Sequence, residues 1–221
     1  MYYIKYFFYI ALNWNLRLAF FSIYNEIKGE HKYRINTVRL NDLQKLVVTG
    51  DNRHHAEMYQ GAGYYLLENV FTHLQKLHAP DGFVDLGSGK GRVLVVAAHY
   101  GFNKIKGVDF AMELCQEAEN NCRRITQGFP WVNWKVLCVN AASYQFEKDD
   151  HVFFFFNPFK ETVMNQVISN IILSQKNHPR KIFVVYINPQ LKKLFINAGF
   201  KEVYNIKRMQ FVEACIYEKN L

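Results

Sequence analysis

The chain has 221 residues, enough for one domain of ordinary size with a full hydrophobic core. Its residues are 50% hydrophobic and 16% aromatic, which excludes an intrinsically disordered chain. A formal net charge of +8, from 27 basic and 19 acidic residues, favours an acidic partner such as nucleic acid or an anionic membrane surface, unless it is only a solvated basic exterior.

Residues 1–28 are rich in aromatics, among them Tyr2, Tyr3, Phe7, Phe8, Trp14, Phe20 and Phe21. Lys5, Asn13, Asn15 and Arg17 interrupt the stretch too often for a membrane span, which needs about twenty apolar residues. No small-residue cleavage site follows a clean apolar core, as a signal peptide would require. The reading is one or two amphipathic helices. They pack on the following domain, meet a second copy in a homo-oligomer, or make peripheral membrane contact. Residues 29–55 are polar, with Gly29, Asn36-Thr37, Asn41-Asp42 and Gly50 as turn or cap signals. Asn41 or Asp42 is placed to cap a short helix. The chain thus divides into an N-terminal helical extension and connecting arm, 1–55, and a larger domain, 56–221.

A helix is predicted over 56–77, because Tyr64, Leu67, Val70, Phe71 and Leu74 recur at helical spacing. Gly61 and Gly63 loosen its first turns. Then Phe83, Val84 and Leu86 form a short strand that runs into Gly87, Gly89 and Gly91, with Asp85 before them and Ser88 between. A helix follows from Arg92. Glycine suits a sharp exit from a strand and a close approach of backbone to ligand, and strand, glycine turn and helix N-terminus form a nucleotide-type corner. A second strand, 104–108, ends in Asp109, placed to accept hydrogen bonds from ribose hydroxyls. A dinucleotide fold has G-x-G-x-x-G; here the third glycine comes one residue early.

Further on, a helix at 111–126 carries Leu114, Cys115, Ala118, Cys122 and Ile125 on one side. A third strand, 134–139, ends in Asn140-Ala141. The run of phenylalanines at 153–156 reads as a strand buried on both faces and ends in Asn157-Pro158-Phe159. A helix, a fifth strand at 181–187, a short helix and two closing strands complete the chain. Neither Cys138 nor Cys215 completes a C-x-x-C pair with the other two cysteines, so no metal site is expected, and reduced thiols suit a cytoplasmic protein, with membrane association left open.

The segment Asp85-Leu-Gly87-Ser-Gly89-Lys-Gly91, with Asp109 closing the second strand, resembles motif I of the class I S-adenosylmethionine-dependent methyltransferases. Tyr59-Gln60-Gly61, upstream of a Gly-Lys-Gly-Arg loop, is similar to the cofactor-covering segment of the histone-lysine (disruptor of telomeric silencing) type and of the ATP synthase c-subunit lysine methyltransferases, with Gly61 in place of their proline. Asn157-Pro158-Phe159 resembles motif IV of the amino-methyltransferases, one proline short. The likeness spans about residues 56–220 at fold level. It implies an α/β, Rossmann-like fold with a seven-stranded, mostly parallel sheet, a terminal antiparallel hairpin and added N-terminal helices. It implies S-adenosyl-L-methionine as cofactor, contacted by Tyr59, Asp85, Gly87, Ser88, Gly89, Gly91, Asp109, Phe110, Asn140 and Ala141. Phe110 has packing in the core as its alternative role. Asn157, Pro158 and Phe159 are the implied catalytic residues, the Asn oxygen and a neighbouring carbonyl holding an N–H donor.

Such a protein transfers a methyl group to a nitrogen nucleophile, with protein lysine and adenine N6 of a nucleic acid as the acceptor classes. An amine needs no strong general base, which accords with a sequence that shows no Ser/His/Asp or paired-carboxylate constellation. His54 and His55 stand near the expected cofactor cover, whereas His99 reads as structural. Two other classes stay open: an inactive SAM- or RNA-binding module, and an NAD-dependent oxidoreductase, which the early third glycine and the closing hairpin disfavour.

Overall fold

The computed structural model describes residues 2–37, 61–156 and 159–220. Short runs of branched and aromatic residues form seven strands: β1 (Gly82–Leu86), β2 (Lys104–Asp109), β3 (Asn133–Cys138), β4 (Val152–Phe156), β5 (Ile182–Ile187), β6 (Lys201–Arg208) and β7 (Val212–Lys219). They make one sheet in the order β3-β2-β1-β4-β5-β7-β6. The first five strands are parallel, and β7 enters antiparallel between β5 and β6. The expected Rossmann-like sheet with its terminal hairpin is therefore present.

The helices are α1 (Tyr2–Asn13), α2 (Leu16–Tyr33), α3 (Tyr64–Lys76), α4 (Arg92–His99), α5 (Met112–Gly128), α6 (Glu161–Asn177) and α7 (Lys192–Asn197). Two apolar layers sandwich the sheet. On one side Phe154 of β4 joins Phe71, Phe83 and Leu94, under α3 and α4. On the other, Phe153 and Phe155 join Val84, Met164, Ile171 and Phe195, under α6 and α7. This is why the phenylalanine run shows no alternation: successive side chains point to opposite faces, and both faces are covered. Each such ring stabilises the fold by roughly 1.5–3 kcal/mol through burial.

Two sequence expectations shift. Helix α3 starts at Tyr64, not at 56: Gly63 caps it in an extended conformation (φ −62°, ψ 133°), and the Gly61–Gly63 stretch stays outside the helix. Residues 56–60, Tyr59 among them, and the cap expected at Asn41 or Asp42 lie outside the described residues, as do His54 and His55. Gly29 is not a turn. It lies buried inside α2, where an added Cβ would sit 2.1 Å from Cγ of Tyr64, so its missing side chain lets α2 and α3 touch. His99, exposed at the end of α4, has the structural place expected of it: its Nδ1 is 2.9 Å from the Val95 carbonyl oxygen, and its ring meets Tyr33 and Phe129 edge-on. Among the described residues no helix is long and apolar enough to cross a membrane.

Candidate functional site

The sheet reverses its strand order at β1, flanked by β2 on one side and β4 on the other, and ligands of open α/β sheets bind at the carboxyl ends of the strands at such a point. The chain leaves β1 through Gly87, Gly89 and Gly91, whose φ angles are 87°, 51° and 76°. These left-handed values strain any residue with a Cβ. At Gly91 a Cβ would also stand 3.1 Å from Ala118 of α5. The Gly87 and Ser88 N–H groups donate to the Val108 carbonyl at 2.8 and 3.1 Å, which ties the loop to the end of β2.

Asp109, the last residue of β2, fastens the same loop. One carboxylate oxygen accepts from the Gly89 N–H at 2.9 Å and the other from the Ala111 N–H at 3.0 Å. Each oxygen keeps a further lone pair. Burial raises its pKa, with the backbone N–H donors of Ala111, Gly89 and Phe110 working against that rise. Asp85, at the end of β1, is 2% exposed. Burial pushes its carboxyl well above the ordinary range, and the nearby Asp109 adds to the push. Its Oδ2 and the Ser88 hydroxyl are buried without a hydrogen-bond partner among the described residues.

The register carries the other predicted residues to this edge. Asp109 pairs with Cys138, and the Val139 N–H donates to the Asp109 carbonyl at 2.8 Å, so Phe110 and Asn140 leave adjacent strands side by side. Phe110 is half-buried. Asn140 is exposed and caps a single 3-10 turn, Ala141–Ser143, by accepting from the Ala142 N–H at 2.9 Å; Ala141 behind it is buried. Leu86 pairs with Phe155, so the chain leaves β4 beside the glycine loop. Asn157 and Pro158 lie outside the described residues. Phe159 is half-buried, its ring 6.5 Å from that of Phe155 and edge-on to it.

The sequence reading passed over Arg92, which follows the third glycine. Its buried guanidinium pairs with Glu26 at 2.9 Å and Glu30 at 3.4 Å, donates to Thr37 Oγ1 at 2.7 Å and to the Ala62 carbonyl at 2.9 Å, and lies 4.4 Å from the Tyr64 ring centroid. Helix α2 and the entry to α3 are thereby locked to the loop's exit. Helical spacing puts Glu26 and Glu30 on one face of α2, but nothing in the sequence ties that face to Arg92. Lys90, equally buried, pairs with Glu117 at 3.0 Å.

Among the described residues no salt bridge reaches Asp85 or Asp109. Two buried carboxylates without a cation, beneath a glycine loop stripped of side chains, suit a ligand with a ribose and positive charge and oppose one with a pyrophosphate. A family model described as histone methylation protein DOT1 matches residues 51–203, more than half of the chain. The chain belongs to the DOT1 family. A search of curated proteins by sequence finds no match. Among solved structures, the DOT1-family chain is similar to magnesium protoporphyrin IX methyltransferase of Synechocystis PCC 6803 with bound SAM (TM-score 0.56, 13% identity, 87% of this chain and 89% of that one). A SAM-dependent methyltransferase of Aquifex aeolicus gives 0.52 at 12% identity, over 69% and 88% of the two chains. A tRNA methyltransferase of Pyrococcus abyssi in complex with S-adenosyl-L-homocysteine gives 0.53 at 14% identity, over 72% of this chain and 39% of that one. At these identities the likeness shows the class I methyltransferase fold. With the family match, this DOT1-family protein is a SAM-dependent methyltransferase, and S-adenosyl-L-methionine is its cofactor.

Proposed function

We propose that the protein transfers the methyl group of S-adenosyl-L-methionine to a nitrogen nucleophile, with the side-chain amine of a protein lysine as acceptor. The observation that carries this reading is the match to the histone-methylating DOT1 family across residues 51–203. When bound, the cofactor supplies a methyl group already activated on a sulfonium. The chain's own work is then alignment and exclusion of water.

Gly87, Ser88, Gly89 and Gly91 let the backbone lie against the ligand. Asp109 accepts from the ribose hydroxyls with the lone pairs that Gly89 and Ala111 leave. Asp85, whose buried carboxyl would ionise beside a bound ammonium, would hold the amino-acid head. Phe110 covers the adenine face. Asn140 and the Ala141 N–H would take the adenine edge, and Tyr59 would contact the cofactor. On the acceptor side, Asn157 and a neighbouring carbonyl hold the remaining N–H bonds of the amine, so that its lone pair points at the methyl group. Phe159 would pack against the aliphatic stem, with Pro158 beside it in the sequence. The lysine must arrive neutral, and a site that strips water from an ammonium favours its loss of a proton.

The test is transfer of a tritiated methyl group from the cofactor to a cell extract, with one half treated by protease and the other by nuclease. Label that protease removes, and that falls at least about tenfold with Asn157→Ala, is expected from lost alignment of the nucleophile. Label removed only by nuclease would replace lysine with a nucleic-acid amine. Turnover unchanged by Asn157→Ala would take that residue out of the mechanism.

A further inference from the structure

The α1–α2 hairpin turns an apolar, aromatic surface outward. On α1, Ile4, Phe8 and Leu12 recur every four residues, with Leu12 83% exposed. On α2, Phe20, Tyr24 and Ile27 form a second exposed stripe. Rings join the two: Phe7 stands edge-on to Phe8 at 5.6 Å and to Phe20 at 4.9 Å. The surface continues through Trp14, 6.4 Å from the exposed Phe211 in the β6–β7 turn. This face is surplus to the core. The hairpin's inner residues Ile10, Leu18 and Ala19 are already buried against Met209 and Val212.

Charge on the hairpin is sorted by side. Its carboxylates, Glu26 and Glu30, turn inward onto Arg92. Lys5, Arg17 and Lys28 are exposed, and among the described residues no salt bridge involves them. The outward surface is thus apolar, aromatic and purely cationic. A second copy laid face to face would set like charge against like. An anionic lipid surface complements both features, and an amphipathic helix with this composition lies in the interface instead of crossing it.

We infer that the α1–α2 hairpin docks the protein on an anionic lipid surface. The docking side includes the carboxyl edge of the sheet. Ile187 ends β5 opposite Ala214, and Arg208 pairs with Val212, so the turn bearing Phe211 projects from the edge that carries the glycine loop. Docking therefore holds that edge at the membrane. The inference is independent of the acceptor proposed above.

The test is co-flotation of the full chain with vesicles of phosphatidylcholine alone and of phosphatidylcholine mixed with phosphatidylglycerol. Each basic residue near such a surface strengthens binding about fivefold, so replacing Lys5, Arg17 and Lys28 together by serine should weaken it roughly a hundredfold. The pair Phe8→Ser and Phe20→Ser should abolish flotation. The serine triple variant leaves all ring contacts in place, so it reports even if the phenylalanine pair disturbs the fold. No flotation with the anionic vesicles, or flotation undiminished in the triple variant, overturns the inference. So does a dimer in light scattering that Phe20→Ser dissolves while no vesicle binds.

Discussion

Two pairs of buried carboxylates flank the glycine loop, and the fold treats them in opposite ways. Glu26 and Glu30 share the guanidinium of Arg92, with Thr37 and Tyr64 as further donors to Glu30. Asp85 and Asp109 share no cation among the described residues and hold their place through backbone N–H groups to Asp109 alone. A buried charge without a counter-charge is destabilising, and a protein keeps one where something else supplies the charge. The first pair is a finished joint between the N-terminal helices and the sheet. The second is an unfinished site, which under the proposed function the sulfonium and ammonium of S-adenosyl-L-methionine would complete.

The sharpest way to break the contrast is Arg92→Met. It leaves two buried carboxylates uncompensated and should cost about 3–5 kcal/mol, read from urea unfolding. Next comes Asp109→Ala, which removes an acceptor from the loop and from the ribose. Titration calorimetry with S-adenosyl-L-methionine should show affinity falling about ten- to a hundredfold, the worth of a hydrogen bond to a charged group. Unchanged affinity would move the ribose site elsewhere.

The smallest effect has the opposite sign. A carboxyl raised by burial contributes its stability fully below its unfolded value and loses it as pH rises through the folded one. For Asp85 the ordinary value is 3.8, and the folded one lies well above it. Asn cannot ionise. In the cofactor-free protein Asp85→Asn should therefore raise Tm by a few degrees at neutral pH, and the gain should fade as pH falls toward 3.8. A Tm that drops at neutral pH would mean that Asp85 already has its counter-charge.

Periodicity and spacing made the sheet and the loop legible. Gly87, Gly89 and Gly91 announce left-handed backbone because other residues are strained there, and the phenylalanine run announces a strand covered on both faces. Cys115 and Cys122 share one side of a predicted helix, and both are buried there. The interplay around Arg92 was not legible. Its partners come from residues 26, 30, 37 and 62, and nothing local relates an arginine after a glycine loop to glutamates more than sixty residues earlier. Gly29 misled for a related reason: glycine marks both a turn and a close contact, and only the position of Tyr64 distinguishes them. Likewise Asn140 keeps the acceptor oxygen that the sequence advertises, but the fold directs it to the Ala142 N–H.

What the sequence determined by itself is therefore the set of elements and the chemistry of the loop. Both follow from short-range rules: the period of side chains along a strand or helix, and the steric freedom of glycine. What only the tertiary structure decided is which charges meet. Arg92 could have faced the cofactor or the N-terminal helices. It faces the helices, because packing α2 against α3 through Gly29 brings two carboxylates within reach and leaves Asp85 and Asp109 without a cation among the described residues. Coulomb interactions depend on distance in space, and distance in space is a property of the assembled core, not of the order of residues.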